Sequence, residues 1–204
     1  MPSAVSTLLA FAVAFLLGSF PFGLWWGRIF GGIDIREHGS KNLGAANVFR
    51  TLGPRHGIAV LLLDAAKGAA AVVASRALSG SEVVAIFAML FAILGHILSP
   101  WVAFRGGKGV AAGLGSWLVL APAATGLALA VFAVVLALSR RVSVGSLLAS
   151  LALIPLVYFL SDQEALHLRS GLAILTAGLV WLRHRGNLVR LAHGVEPPLW
   201  GRDR

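Results

Sequence analysis

Apolar runs near the length of a bilayer crossing follow one another along almost the whole chain, and no other feature narrows its fold as much. A helix needs about 20 mostly apolar residues to cross the hydrocarbon layer. Residues 4–27, 56–78, 82–102, 110–121, 123–139, 144–161 and 165–183 form seven candidate spans, of which 110–121 is the shortest. Lipid gives backbone N–H and C=O groups no partner outside a helix or a closed barrel. No stretch alternates with the period of a membrane strand, so the expected fold is all-α and polytopic. The segments between spans are too short for a soluble domain, and the 204 residues are read as one domain. The border of the fourth run rests on Pro122, which leaves a hairpin or a kinked passage through 110–139 as an alternative.

Charge supports the same reading. Only 12% of residues are charged and 58% are hydrophobic, whereas soluble domains are about 25% charged. The net charge of +9 lies between apolar runs rather than in a stripe among aromatics, so no nucleic-acid partner is expected. There are no cysteines, which excludes disulfides, thiolate nucleophiles and Cys-ligated metals. No basic residue precedes the run Val5 to Leu17, which reads as a retained span rather than a signal peptide. With the amino terminus outside and the carboxy terminus cytoplasmic, fourteen of the seventeen Lys and Arg residues fall on the inner face. The outer face receives Arg76 and Arg169 beside Glu82, Asp162 and Glu164, and Lys67 lies within a span. That distribution satisfies the positive-inside rule.

Three polar segments marked by glycine fall on the inner face in this topology. The first, Gly39-Ser-Lys-Asn-Leu-Gly-Ala-Ala-Asn-Val-Phe-Arg50, combines the neutral hydrogen-bonding groups of Ser40, Asn42 and Asn47 with the charges of Lys41 and Arg50. A guanidinium can hold a phosphate at two points; an interfacial loop with topogenic charges has the same composition. In the second, Gly106, Gly107 and Gly109 surround Lys108 directly before a helix, where backbone N–H groups and an ammonium can cradle an anion. It is not a Walker loop, because Gly109 stands where Ser or Thr is required. A flexible turn is the other reading. The third is Arg183-His184-Arg185-Gly186-Asn187, where snorkelling basic anchors are the simpler account.

Within the spans, Asp64 and Lys67 are three apart on one helical face and are expected to pair, fixing helix packing or serving the chemistry. His96 and Ser143 lie near the inner ends of spans and are candidate substrate contacts.

At these residues the sequence resembles the bacterial membrane glycerol-3-phosphate acyltransferases that use acyl phosphate as donor. GSKNLGAANVFR resembles the family's first loop motif, GHILSPWVAFRGGKGVA its second and RHRGNL its third, in the family's order and across essentially the whole chain. The stretch Asp64 to Gly68 is similar too. The family usually has Glu where this chain has Gly186, so no carboxylate role carries over to that position. The resemblance implies seven spans, an outside amino terminus and a site open to the cytoplasm in a bacterial inner membrane. It also implies transfer of a fatty acyl group from acyl phosphate to the sn-1 hydroxyl of glycerol 3-phosphate, beside membrane lipid, giving lysophosphatidic acid and phosphate.

For that reaction Ser40, Asn42, Asn47 and Arg50 are expected to contact a phosphate, and the Gly106 to Gly109 backbone with Lys108 to stabilise charge on the acyl phosphate. His184 and Asn187 are expected to hold glycerol phosphate. No cofactor is expected, and the few scattered acids suggest no metal site. None of the six histidines has an Asp five places on, which excludes the acyltransferase motif in which a histidine activates the hydroxyl. The rival reading is a transporter for an organic phosphate. Transporter sites sit near the bilayer midplane on broken helices, whereas these candidates gather at one interface.

Overall fold

A computed structural model of the chain describes residues 2–161 and 166–201. Asp162, Glu164, Arg202 and Arg204, which entered the charge count, lie outside the described residues. Helices α1 (Ala4–Ser19), α2 (Phe22–Gly31), α3 (Ala45–Leu52), α4 (Pro54–Ser79), α5 (Glu82–Ile97), α6 (Val110–Leu120), α7 (Pro122–Ser139), α8 (Val142–Leu160), α9 (Leu166–Arg183) and α10 (Arg185–Ala192) follow in order, with short 3-10 turns at Ile35–Glu37 and Pro100–Val102. Among the described residues there is no strand.

Five stretches are long and apolar enough to cross a membrane: Ala4–Gly31, Pro54–Ser79, Glu82–Val102, Pro122–Ser139 and Val142–Leu160. The eleven residues of α6 rise only about 16 Å at 1.5 Å each, short of the hydrocarbon thickness. The 18 residues of α9 include Arg169 and Arg183. The chain divides into two compact units, one up to Leu120 and one from Ala121 on.

In the first unit α1 lies against α4 and α5, and α4 against α6. Ser75 Oγ donates to Ala10 O, and Lys67 Nζ to Phe20 O, so the partners move in opposite directions and the two helices are antiparallel. Phe11 stacks on Phe91 and Ser99 Oγ donates to Ser19 O, so α1 and α5 run in parallel. Small residues make this closeness possible, as they do wherever helices meet without a hydrophobic drive from water. A Cβ on Gly68 would collide with the Ala112 carbonyl, and one on Gly115 with the Ala65 carbonyl. Ser116 Oγ adds a bond to Gly68 O.

The single helix expected over 4–27 is instead two. Pro21 has no N–H to donate and its ring disfavours a helical residue before it, so Phe20 is extended and α2 begins anew at Phe22. Beyond the break, Leu24, Ile35, Leu43, Val48, Val60 and Val102 form a buried cluster that fixes α2, α3 and the loop between them against the first part of α4.

In the second unit α7 packs on α8, and α8 on α9. Gly145 admits the Phe132 ring between α8 and α7. The chain beyond α10 returns to the start of α8, where Leu199 N donates to Arg140 O.

Candidate active site

The loop Gly39–Gly44 is built around one side chain. Asn47, 1% exposed, donates through Nδ2 to Ile35 O, His38 O and Asn42 O at 3.1, 3.0 and 2.9 Å, and its Oδ1 accepts from Ser40 N at 2.8 Å. Asn42 Oδ1 accepts from Gly44 N. The loop carbonyls and amides that no helix can pair are thus satisfied by buried amide groups. Gly39 (φ +57) carries no Cβ that would strike Asn47 Oδ1. Ser40 is exposed at the loop surface, and Arg50 is partly buried in the last turn of α3.

The glycine-rich segment folds back on the end of α5. Gly106 N donates to Ile97 O at 3.0 Å and Gly107 N to His96 O at 3.1 Å, which satisfies carbonyls that a helix end leaves without intrahelical donors. A Cβ on Gly106 would overlap His96 O, and one on Gly107 would overlap His96 Nε2. These glycines are required by close approach. Their amides bond carbonyls of α5, and Lys108, partly buried, follows just before the head of α6. Gly109, at φ +83, admits the reversal and packs against Ile93 and Ile97.

Beneath this turn lies a buried charge cluster. The expected pair forms: Lys67 Nζ is 2.7 Å from Asp64 Oδ1, the two side chains being 4% and 2% exposed. Lys67 also donates to Phe20 O at 2.6 Å and lies 5.6 Å from the centre of the Phe22 ring. His96 Nδ1 is 3.7 Å from Asp64 Oδ1. A small recess, with room for about one water, is lined by Asp64, Lys67, His96, Gly106, Gly107 and Leu43, with Ser19 to Gly23 and Ser99 completing its wall.

In the second unit the organising group is Glu196, 2% exposed. Its Oε1 accepts from Ser143 Oγ at 2.8 Å and Asn187 Nδ2 at 2.6 Å, and its Oε2 from Arg190 Nε at 2.8 Å. Arg141 Nε donates to Glu196 O. Burial alone raises this carboxyl, but the bonds from Asn187, Ser143 and Arg190 outweigh it and hold it below the ordinary glutamate range. His184 is buried and its Nδ1 lies 2.7 Å from Val180 O, so that nitrogen carries the proton. A Cβ on Gly186 would meet only Arg190 Nη1, at 3.7 Å.

The family model described as glycerol-3-phosphate acyltransferase matches residues 8–194. The chain belongs to the glycerol-3-phosphate acyltransferase family. Its relatives in the family include the glycerol-3-phosphate acyltransferase of Synechococcus sp. (strain JA-2-3B'a(2-13)), 47% identical over 195 residues that cover 95% of this chain and 94% of that one. The acyltransferase of Geobacter sulfurreducens (strain ATCC 51573 / DSM 12127 / PCA) is 41% identical over 94% of this chain and 97% of its own. Among solved structures, the glycerol 3-phosphate form of PlsY (YgiH), an integral membrane glycerol 3-phosphate acyltransferase, superposes with a TM-score of 0.86 at 32% identity, covering 96% of each chain. Its lysophosphatidic acid form gives 0.83 at 31%, covering 95% of each.

Within this acyltransferase the fold brings His96, Gly106 and Gly107 to one recess, bordered by Leu43 of the first motif loop. Ser40, Asn42, Asn47, Arg50, Lys108 and Gly109 are not in its wall. Asn42 and Asn47 spend bonds on the loop itself, and Ser143 and Asn187 on Glu196. Two groups escaped sequence reasoning. The Phe20 carbonyl had a visible signal in Pro21, whereas Glu196 lies among Pro and Gly beyond the third motif and nothing in the sequence marks it as buried.

Proposed function

We propose that this chain transfers a fatty acyl group from acyl phosphate to the sn-1 hydroxyl of glycerol 3-phosphate in phospholipid synthesis, releasing inorganic phosphate and lysophosphatidic acid. Similarity along nearly the full length to an acyltransferase captured in a glycerol 3-phosphate form carries this reading. The protein would act as a single catalytic domain of seven spans in a bacterial inner membrane, its amino terminus outside and its site facing the cytoplasm; the charge distribution supports that orientation.

In the reaction the glycerol hydroxyl oxygen attacks the acyl carbonyl carbon and the bond from that carbon to the phosphate oxygen breaks. The hydroxyl proton passes to a phosphate oxygen. Acyl phosphate is already activated, so transfer is direct, with no acyl-enzyme. Lys108 stabilises charge on the departing phosphate, with Gly106 and Gly107 seating its turn against His96 and Gly109 against Ile93 and Ile97. Ser40 and Arg50 hold a phosphate from a loop that Asn42 and Asn47 keep in shape. His184, with Asn187 and Ser143, serves the glycerol phosphate.

Purified protein given acyl phosphate and glycerol 3-phosphate should release phosphate and form lysophosphatidic acid in equal amounts. Phosphate release that is independent of glycerol 3-phosphate, or no release at all, would count against the reading.

A further inference from the structure

Two charges held at 4% and 2% exposure inside a membrane bundle call for a reason, because desolvation commonly exceeds what the pair regains. The bond to Phe20 O accounts for the ammonium but not for the carboxylate, and the seam with α6 does not need either. The seam between α4 and α6 is already closed by Gly68 against Ala112, Gly115 against Ala65 and the bond from Ser116 Oγ to Gly68 O. What the pair does touch is a chain of groups leading to the glycine turn. Lys67 bridges Phe20 O, left outside the helical ladder by the break at Pro21, to Asp64. Asp64 Oδ1 faces Nδ1 of the buried His96 at 3.7 Å. The other ring nitrogen, Nε2, lies against Gly107 so closely that no Cβ fits, and His96 O accepts the Gly107 amide. Lys108 is the next residue.

We propose that Asp64, held by Lys67, is a positioning residue for acyl transfer: its carboxylate orients the His96 ring, against which the Gly106–Gly107 turn is seated and Lys108 is aimed. The inference rests on the acyltransferase reading above. At 3.7 Å the carboxylate acts on the ring through its charge rather than a hydrogen bond, and an anion on the Nδ1 side favours the orientation and tautomer that place a proton there. The turn then has one seat. Without the carboxylate the imidazole can rotate, and the turn loses the surface it is packed on. The effect belongs to kcat, since a lysine aimed loosely still attracts a phosphate but stabilises the departing charge less well.

Asp64→Asn keeps shape and leaves Lys67 its bond to Phe20 O. It is compared with wild type and with the charge-free pair Asp64→Asn/Lys67→Met, which serves if an unpaired ammonium prevents folding. The readouts are kcat and KM per molecule in the monodisperse detergent peak, and hydrogen exchange of the peptide containing Gly106 to Lys108. We expect kcat to fall at least tenfold with KM for glycerol 3-phosphate within about twofold, and exchange of that peptide to quicken while the peptides of α1 keep wild-type rates. Variants with kcat within twofold of wild type and unchanged exchange would overturn the inference and leave the acyltransferase reading intact. Absence of turnover in wild type would overturn that reading and this inference with it.

Discussion

The ammonium of Lys67 lies 2.6 Å from the carbonyl oxygen of Phe20, at the point where Pro21 ends the first helix. The break takes the Phe20 carbonyl out of the helical ladder and leaves it the two-residue bond from Phe22 N at 3.1 Å, to which the ammonium adds a second, charged donor in a low-dielectric surrounding. The break and the buried charge answer each other. Lys67→Ala removes one of two donors to Phe20 O and strands the buried Asp64 carboxylate, and should destabilise the protein by about 3–5 kcal/mol, chiefly through the stranded charge. Thermal unfolding in detergent measures this, and a loss under about 1 kcal/mol would show that the pair contributes little net stability.

Lys108→Ala should leave expression, gel-filtration profile and melting close to wild type, while kcat falls by about two to three orders of magnitude. Wild-type rates in this variant would refute a role for the lysine in stabilising the departing phosphate.

Two glycines of different motifs should behave oppositely. Gly107→Ala places a methyl against the His96 ring, an overpacking that should cost about 1–3 kcal/mol and reduce turnover. Gly186 lies inside α10 with only Arg190 near, so Gly186→Ala should be neutral or stabilising by up to about 1 kcal/mol. Melting temperatures of the two variants side by side decide it.

Asn47→Ala leaves Asn42 O and the Ser40 amide without this partner and removes the second donor from Ile35 O and His38 O, which keep the amides of His38 and Lys41, and should cost about 2–4 kcal/mol. Proteolysis between Ile35 and Arg50 should quicken in proportion. A variant cleaved no faster than wild type would show that the loop holds its shape by other means.

Glu196 gives the tail an acid-sensitive fastening. Its folded-state carboxyl is held low by Asn187, Ser143 and Arg190 against the upward pull of burial. A depressed carboxyl contributes stability that is fully present above its unfolded value, about 4.3, and is lost as pH falls through the lower folded value. Hydrogen exchange of residues 190–199, corrected for intrinsic rates, should therefore be flat from neutral pH to about 5 and accelerate below about 4. In Glu196→Gln the acceleration should vanish, with faster exchange at neutral pH. Equal profiles in the two proteins would dissociate this carboxylate from tail docking.

The sequence by itself determined what depends on neighbours along the chain. Hydropathy placed α4 to α9 to within a few residues, though not the break at Pro21 or the short α3 and α10, because an apolar helix in lipid satisfies its own backbone, whatever it packs against. The spacing of Asp64 and Lys67 sets them on one face of α4, and they pair. The three motifs marked the polar segments, and their order carried the family. Tertiary structure alone decided what those groups face. Nothing local says that Lys67 reaches a carbonyl 47 residues away, that Glu196 collects Ser143 from 53 residues back, or that the amides of Gly106 and Gly107 are spent on α5. A buried polar group must find a partner, but which partner depends on where the chain returns, and that is set by helix packing rather than by the residue or its neighbours.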